Sequence, residues 1–598
     1  MNPALSLDLF VLTFNCAKTI IDVDVFARHL RGALQEHGQR RDGEVPDGLD
    51  DSDDLDDGPQ EGKAVELPDL VVFSLQEISP LAHGFVGGYL LNPYLTPFRE
   101  ALNLAATGLV QQCQAESGPD PKPKPSLQRS TSTIPGIWRR QPDYPYKLVE
   151  ARNVGMTAIL LFARKPDAIH HIQTAECAFG IANMGNKGAV ALRVTYSDAG
   201  TAAGGDGGEG LAGGEPSTAA GAPAERRTTE LTFVATHLAA MEYNLRRRNA
   251  NWATIVSSCT FENPKLILPE EFHTTEPSIK NVIESSIHSL SAASSSSPKT
   301  PAEGKQTDGG QDIPLPTEDE RAAFLAREER ANSIPADYSR RLHNASIFKP
   351  GAHLFVAGDL NYRIHTDRPP ALAPFPTLDP DNFGAFLERD QLTRERRGGR
   401  TLHGLEEAEV RFPPTYKIKH LSPDRAADAV NREGFEAGRD EVPWKWAPHR
   451  WPGWCDRILY LDIPPWARQG RAGGGEGAAA DMVVHRYHSM PTMASSDHQP
   501  VYLRVSVPLL TPQELSPPDG WEVDAGGGGG GEAGLVDPRL RLPVPIDTGA
   551  WERRATARKR EVMTGMTTLF FSTREGAVVI GTVAVVSLLS WWLYQGFL

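Results

Sequence analysis

Short apolar runs separated by long polar stretches set the pattern of this chain. Eight runs are rich in β-branched or aromatic residues: Leu7 to Phe14, Leu70 to Leu75, Met156 to Phe162, Ala189 to Val194, Leu231 to Ala235, Leu354 to Ala357, Ile458 to Leu461 and Val501 to Val505. Their length and composition predict strands. Several alternate apolar and polar residues, as half-buried sheets do. A helix is predicted at Met241 to Cys259, where a charged half precedes an apolar one. The stretches between are of another kind. Asp42 to Gly62 is acidic, Glu116 to Gln141 is rich in Pro, Lys and Ser, Ala199 to Ala224 is mostly Gly and Ala, and Ser285 to Pro316 begins Ser-rich. Gly470 to Ala480 and Gly526 to Gly534 are Gly-rich. None can bury enough apolar surface to offset its ordering entropy, so solvated loops are expected. The pattern predicts one α+β domain over residues 5–510, with insertions at about 42–62, 116–141, 199–224, 285–316 and 470–480. Insertions at loop tips are tolerated because lengthening a loop costs entropy only logarithmically. Residues 511–575 are expected to be a linker ending in a basic segment.

Composition narrows the function classes. The chain of 598 residues has 76 acidic against 61 basic residues, a net charge of -15. That balance opposes long-range steering to nucleic acid, and no nucleic-acid partner is expected. The 5 cysteines, Cys16, Cys113, Cys177, Cys259 and Cys455, show no CxxC pair and no zinc-like spacing. They read as reduced thiols of a cytosolic compartment. Met1 to Phe10 has no basic stretch before its apolar residues and carries Asp8, which argues against a secretory signal. The acidic run around Gly58 fails as a calcium loop, because Ala64 stands where the bidentate Glu is required.

The end of the chain differs from the rest. From Gly576 to Leu598 no residue is charged, and Val, Ile, Leu and Trp dominate. As a helix its roughly 23 residues would span about 34 Å, enough for a bilayer core of about 30 Å. A buried core helix is the competing reading, but such helices usually keep a polar face, and this segment has none. Residues 576–598 are therefore expected to be a transmembrane helix. Arg553, Arg554, Arg558, Lys559 and Arg560 lie just before it, on the side that the positive-inside rule makes cytosolic.

Chemistry gathers where the strands stop. Asn15, Glu77, His237, Asp359 and Asn361 follow apolar runs, and Asp497 and His498 precede one. A single polar strand end is the ordinary structural outcome; a repeated set of Asp, Glu, Asn and His suggests one site on a rigid sheet edge. The residue types suit hydrolysis at phosphorus. Carboxylate and amide oxygens are hard ligands fit for Mg²⁺, which usually takes one or two carboxylates. Asp359 could serve as general base. His237, His498 and Asn361 could donate hydrogen bonds to charge on phosphoryl oxygens, and Asp456 could fix a His tautomer. Cys455 could in principle be a nucleophile, but a metal-activated water already accounts for the site.

The motifs themselves carry a resemblance. Phe355-Val356-Ala357-Gly358-Asp359-Leu360-Asn361-Tyr362-Arg363 and Pro452-Gly453-Trp454-Cys455-Asp456-Arg457-Ile458-Leu459 resemble the two signatures of the inositol polyphosphate 5-phosphatases. In the same order come Thr13-Phe14-Asn15, Gln76-Glu77, Asn183 to Gly188, Thr236 to Ala240, Phe412 to Lys417 and Ser496 to Val501. The GDxN and SDH pieces alone would admit the whole endonuclease/exonuclease/phosphatase superfamily; the PTYK and WCDR pieces are more specific. The resemblance implies a two-sheet β-sandwich flanked by helices, DNase I-like, and a Mg²⁺-dependent phosphatase acting on the 5-phosphate of phosphatidylinositol 4,5-bisphosphate and related inositol phosphates.

The roles it implies fall on named positions. Glu77, helped by Asn15, would hold Mg²⁺. Asp359 would activate water, with Asn361 orienting it. His498, paired with Asp456, would stabilise the scissile phosphate; His237 would assist, and Asp497 would line the pocket. Lys187, Tyr416, Lys417 and Arg450 would grip substrate phosphates. Phe14 and Phe355 stand where Trp is usual, and Pro448 stands where a Lys is frequent, which weakens the expected contact with a 4-phosphate. The layout is similar to that of a tail-anchored, fungal-type member, and this implies a phosphoinositide partner reached from the endoplasmic reticulum membrane with the catalytic domain in the cytosol. Rival readings are a nuclease of the same superfamily, a non-enzymatic lipid-binding scaffold and a phosphatase for soluble inositol phosphates alone.

Overall fold

The computed structural model describes residues 6–35, 66–116, 144–198, 227–273, 329, 332–378, 382, 384–422, 424–425, 442–472, 481–521, 536–572 and 574–597. Almost all of the expected insertions, and the Gly-rich stretch 526–534, lie outside these residues.

Thirteen strands are described: β1 (Ser6–Asn15), β2 (Leu70–Gln76), β3 (Lys147–Val154), β4 (Thr157–Ala163), β5 (Ile169–Ala178), β6 (Gly188–Ser197), β7 (Thr228–His237), β8 (His353–Asp359), β9 (Ile418–His420), β10 (Trp444–Trp446), β11 (Asp456–Tyr460), β12 (Val483–Ser489) and β13 (Val501–Pro508). All eight runs read as strands are strands, and the expected helix is Leu245–Ser258. One sheet has six strands in the order β12-β13-β1-β2-β4-β3; the other has five, β11-β8-β7-β6-β5; β9 and β10 form a small ribbon.

The two large sheets pack face to face. Leu9, Val11, Val72 and Leu503 of the first meet Val190, Phe233, Phe355 and Ile458 of the second in one buried cluster. A fully buried side chain of this size contributes about 1.5–3 kcal/mol. The outer face of the first sheet is covered by the helices Val23–Gln35 and Asn92–Glu116, through Phe26, Leu30, Phe98 and Leu102. The helix Leu245–Ser258 covers the second through Trp252, Ile255 and Val256. The result is the expected α+β two-sheet sandwich flanked by helices. A polar tie crosses the core: Ser74 Oγ donates to the Ala357 carbonyl at 2.8 Å.

Strands that the apolar pattern did not show are mostly edges. β3, β5 and β12 end their sheets, and their residues are largely exposed or half-buried. An edge strand is solvated along one side, so nothing demands clean alternation. His485 and His488, read as flanking a strand, lie within β12, where the His485 ring meets Ser506 Oγ at 2.7 Å.

One expectation for the C-terminal region changes. The segment 511–575 is not merely a linker, because residues Ala550–Ser572 form a helix packed on the domain. Of the five basic residues assigned to the membrane side, three are engaged within the protein: Arg553 pairs with Asp547, Arg554 with Glu176 and Glu561, and Arg558 with Glu561. The terminal run is helical over Arg574–Phe597. Among the described residues, however, no helix is long and apolar enough to cross a membrane. Several side chains of the terminal helix, at positions 574–577, 579–581, 584, 594 and 596–597, lie outside the described residues.

Candidate active site

Register places the polar strand ends together. β1 and β2 run parallel with Asn15 opposite Gln76, so Asn15 and Glu77 leave adjacent strands at one edge. β7 and β8 run parallel with His237 opposite Asp359. β11 returns antiparallel with Asp456 opposite Asp359. Packing the sheets brings these edges into contact: Asn15 Nδ2 donates to Asp359 Oδ2 at 3.0 Å, and Ser496 Oγ donates to the Asn15 carbonyl at 2.6 Å.

Asp359 is the centre. Its Oδ2 also lies 3.2 Å from His237 Nε2 and 4.0 Å from His498 Nε2, while Oδ1 accepts the Asn361 N–H at 3.1 Å. Burial alone would push this carboxyl up; His237, His498 and Lys187 outweigh it and hold Asp359 ionised, far below the usual carboxylate range. Asn361 is reached by a left-handed backbone, φ 56°. That turn aims its side chain back at the site, where Nδ2 donates to the Leu238 carbonyl at 3.3 Å and Oδ1 accepts from Arg363.

The two histidines differ in charge because their surroundings differ. His498 Nδ1 pairs with Asp456 Oδ2 at 2.8 Å. Burial opposes its charge, but Asp456, Asp359 and Asp497 push His498 up to about 9, so it is a cation at neutral pH. His237 is buried beside the Lys187 ammonium, and both effects lower it, against the pull of Asp359. His237 is therefore the neutral partner. The site holds a cationic and a neutral imidazole on either side of one carboxylate.

Glu77, also in a left-handed backbone at φ 47°, faces Lys18 Nζ at 2.9 Å and Lys187 Nζ at 4.0 Å. Burial raises its carboxyl, but the Lys18 and Lys187 ammonium groups more than compensate and leave it below its ordinary range. Lys187 is itself brought down to about 8 by burial, against Asp359 and Glu77. At the mouth, Lys417 is paired with Asp497, whose carboxyl is lowered by His498 and Lys417 against its burial. The Tyr416 ring lies 4.6 Å from the His498 ring. Arg450 is ion-paired to the buried Glu242. Asn15, His237, Asn361 and His498 meet Asp359 directly, and Glu77, Lys187, Tyr416, Asp456 and Asp497 with Lys417 adjoin that group.

Some residues of the site had no role assigned from sequence. Arg363 donates to the Asn361 carbonyl at 3.1 Å and lies 4.3 Å from the Tyr416 ring centre, bracing both. Its place two residues past Asn361 was the available signal. Thr415 Oγ1, inside the PTYK piece, donates to Asp456 Oδ2 at 2.7 Å; Lys18 pairs with Glu77 and is marked by no motif. Cys455 is buried, with its thiol pushed up by burial, and its Sγ faces the Tyr362 carbonyl at 3.7 Å, a structural placement.

Two donor sets could take a cation. Ligand atoms of Asp359, Asp456 and His498 lie within 4.8 Å of one another. A cationic His498 whose Nδ1 already faces Asp456 is a poor metal ligand, so this set reads as a charge pair. Glu77 and Asn15 offer a carboxylate and an amide oxygen, and Glu77 is ionised and 26% exposed. That set fits a hard divalent cation.

Comparison with known proteins agrees with the geometry. The sequence model of the Endonuclease/Exonuclease/phosphatase family 2 matches residues 12–203 and 315–504. Phosphatidylinositol 3,4,5-trisphosphate 5-phosphatase 1 of Mus musculus is 27% identical over 164 residues, 27% of this chain and 12% of that protein. Type I inositol polyphosphate 5-phosphatase 4 of Arabidopsis thaliana is 34% identical over 152 residues, 25% of this chain and 22% of that protein. The matched region thus spans under a quarter of either relative's length. A crystal structure of the inositol polyphosphate 5-phosphatase domain of SPsynaptojanin, in complex with inositol (1,4)-bisphosphate and calcium ion, aligns over 84% of both chains at 18% identity, with a TM-score of 0.40. With motifs, register and the family match in agreement over most of the described sandwich, the chain belongs to the Endonuclease/Exonuclease/phosphatase family 2.

Proposed function

We propose that this protein is a Mg²⁺-dependent phosphoric monoester hydrolase that removes the 5-phosphate from phosphatidylinositol 4,5-bisphosphate and related inositol phosphates. The observation that carries the reading is Asp359, held ionised between a neutral His237 and a cationic His498. The named activities of the curated relatives support the substrate class.

The residues divide the work. His498 donates to a phosphoryl oxygen and stabilises its growing charge, with Asp456 fixing its ring orientation and keeping its proton. Asn361 and His237 orient a water beside Asp359. As the water oxygen bonds to phosphorus, the phosphorus–oxygen bond to the inositol ring breaks, a water proton passes to Asp359, and the departing ring oxygen takes a proton from solvent to become the hydroxyl. A carboxylate this acidic accepts that proton late, once the attacking water has become acidic. Phosphoryl transfer tolerates this, because its transition state is loose and depends chiefly on positioning and charge. Lys187, Tyr416 and Lys417 meet the substrate phosphates. Glu77 and Asn15 would hold Mg²⁺, which supplies positive charge to the phosphoryl oxygens.

The reading extends to a membrane-anchored enzyme with its catalytic domain in the cytosol, on the endoplasmic reticulum. Its support is the uncharged run Gly576 to Leu598 and the outward apolar side chains of the terminal helix, Val583, Leu588, Leu589 and Trp592 among them. The deciding experiment is phosphate release from a panel of phosphoinositides, soluble inositol phosphates and nucleic acid, with Mg²⁺ and with a chelator. Release confined to 5-phosphorylated inositides is expected. Cleavage of nucleic acid in place of them would overturn the reading.

A further inference from the structure

The helix Ala550–Ser572 lies beyond residue 504, where the family match ends, yet it reaches the loop that carries Lys187. Its contact centres on Glu561, which is fully buried. A buried carboxylate is costly unless each lone pair finds a donor. Arg554 supplies Nη1 at 2.5 Å and Nη2 at 3.1 Å, and Arg558 supplies Nη1 at 3.3 Å. The remaining donor comes from elsewhere: the Gly185 N–H meets Glu561 Oε1 at 2.8 Å. Both arginines are themselves tied to the domain. Arg554 Nε donates to Glu176 at 2.8 Å, and Arg558 donates to the Phe85 and Val86 carbonyls at 2.5 and 3.0 Å.

Gly185 is the inner rung of a backbone ladder. Its carbonyl accepts the Met156 N–H at 3.1 Å, and the Met156 carbonyl accepts the N–H of Ile78, next to Glu77, at 3.2 Å. The loops touch closely: a Cβ at Gly155 would lie 2.0 Å from the Gly185 oxygen. The helix sits equally close to its neighbour, since a Cβ at Gly565 would lie 2.9 Å from Val86 Cγ2 and 3.0 Å from the Ala82 oxygen. A carboxylate on the far helix thus ends a line of hydrogen bonds whose other members carry Lys187 and Glu77.

We propose that Glu561 is a positioning residue: it clamps Gly185, and through it holds Lys187 where a substrate phosphate is met. The clamp rests on the reading of Lys187 given above. A segment outside the family match thereby completes the site.

The full-length protein tests this in two ways. Amide exchange reads the clamp without reference to activity. In the wild type, the Gly185 amide should be protected well beyond an exposed loop amide; exchange at the exposed-loop rate would overturn the proposal. Glu561→Met keeps the volume and removes the acceptor, so residues 180–187 should exchange faster while β6 and β7 do not. Kinetics on a soluble 5-phosphorylated inositol phosphate read the consequence. Glu561→Met should raise KM by about tenfold with little change in kcat, the scale of one charged hydrogen bond. Glu561→Gln, whose amide oxygen can still accept from Gly185, should restore most of it. In a Lys187→Ala background, Glu561→Met should add almost nothing; additive effects, or an unchanged KM in folded Glu561→Met, would refute the clamp. A wild type with no phosphatase activity would refute the functional reading, and the exchange experiment would still decide the clamp.

Discussion

His237 and Asp359 stand opposite each other on adjacent parallel strands, and their side chains meet at 3.2 Å. Both are fully buried, and the Lys187 ammonium lies against the imidazole. The contact sets the charge state of the site, because it helps to keep Asp359 ionised in the interior.

Asp359→Ala should therefore lower kcat by at least about 10²-fold, the low end for a positioned general base. Asp359→Asn should do nearly as much, since an amide cannot take the proton. Steady-state kinetics with Mg²⁺ check this, and near-normal turnover in either variant would sink the mechanism.

The His498–Asp456 pair predicts an alkaline limb. His498 is pushed up to about 9 from an ordinary 6.5, so the catalytic cation persists through neutrality and is lost above about pH 9. The same sign governs stability: the pair's contribution is complete below about pH 6.5 and disappears as pH rises through about 9. Asp456→Asn removes the main charge holding that proton. Burial then dominates, and the limb should move down by more than a pH unit. A pH–rate profile unchanged in Asp456→Asn would contradict the assignment.

Acid lability follows from the buried neutral histidines. His353, at the start of β8, is lowered by burial and by Arg539 to about 3. A depressed histidine stabilises the fold above its unfolded value and loses that contribution as pH falls towards its folded value. Stability should thus decline from about pH 6.5 downwards, with His353 contributing up to about 1.4 kcal/mol per pH unit. Denaturant unfolding at several pH values checks the slope, which should be shallower in His353→Gln.

Arg457 lies in the second signature, yet its partners are structural. It pairs with Asp390 at 3.0 Å and Glu407 at 2.6 Å, and the three side chains are 5% exposed or less. Arg457→Ala leaves two buried carboxylates without their cation and should cost about 3–5 kcal/mol. Thermal unfolding measures this; an unchanged Tm would show that the pair contributes little.

Truncation after Arg574 should free the protein from membranes while sparing turnover of a soluble inositol phosphate. Fractionation with carbonate extraction decides it. If the truncated protein still pellets and resists carbonate, the anchor lies elsewhere.

Central strands and most of the site were legible from the amino-acid sequence alone. A strand buried on both faces must be a short apolar run, and β1, β2, β7 and β8 read that way. The polar residues that end such runs had to be either ordinary termini or a site, and the repeated set of Asp, Glu, Asn and His at those ends favoured the second. What the sequence could not show depends on partners distant along the chain. β3, β5 and β12 were hidden because an edge strand keeps a solvated side. The opposite charge states of His237 and His498 come from Lys187 and Asp456, brought near by register and sheet packing. Arg450 was expected to meet substrate phosphate; only the fold reveals Glu242 against it. The basic segment before the terminal run was read by local charge as facing a membrane. Arg554 and Arg558 share a helix with Glu561, but only tertiary packing buries that carboxylate against Gly185, 376 positions away, and a contact so distant leaves no trace in local pattern.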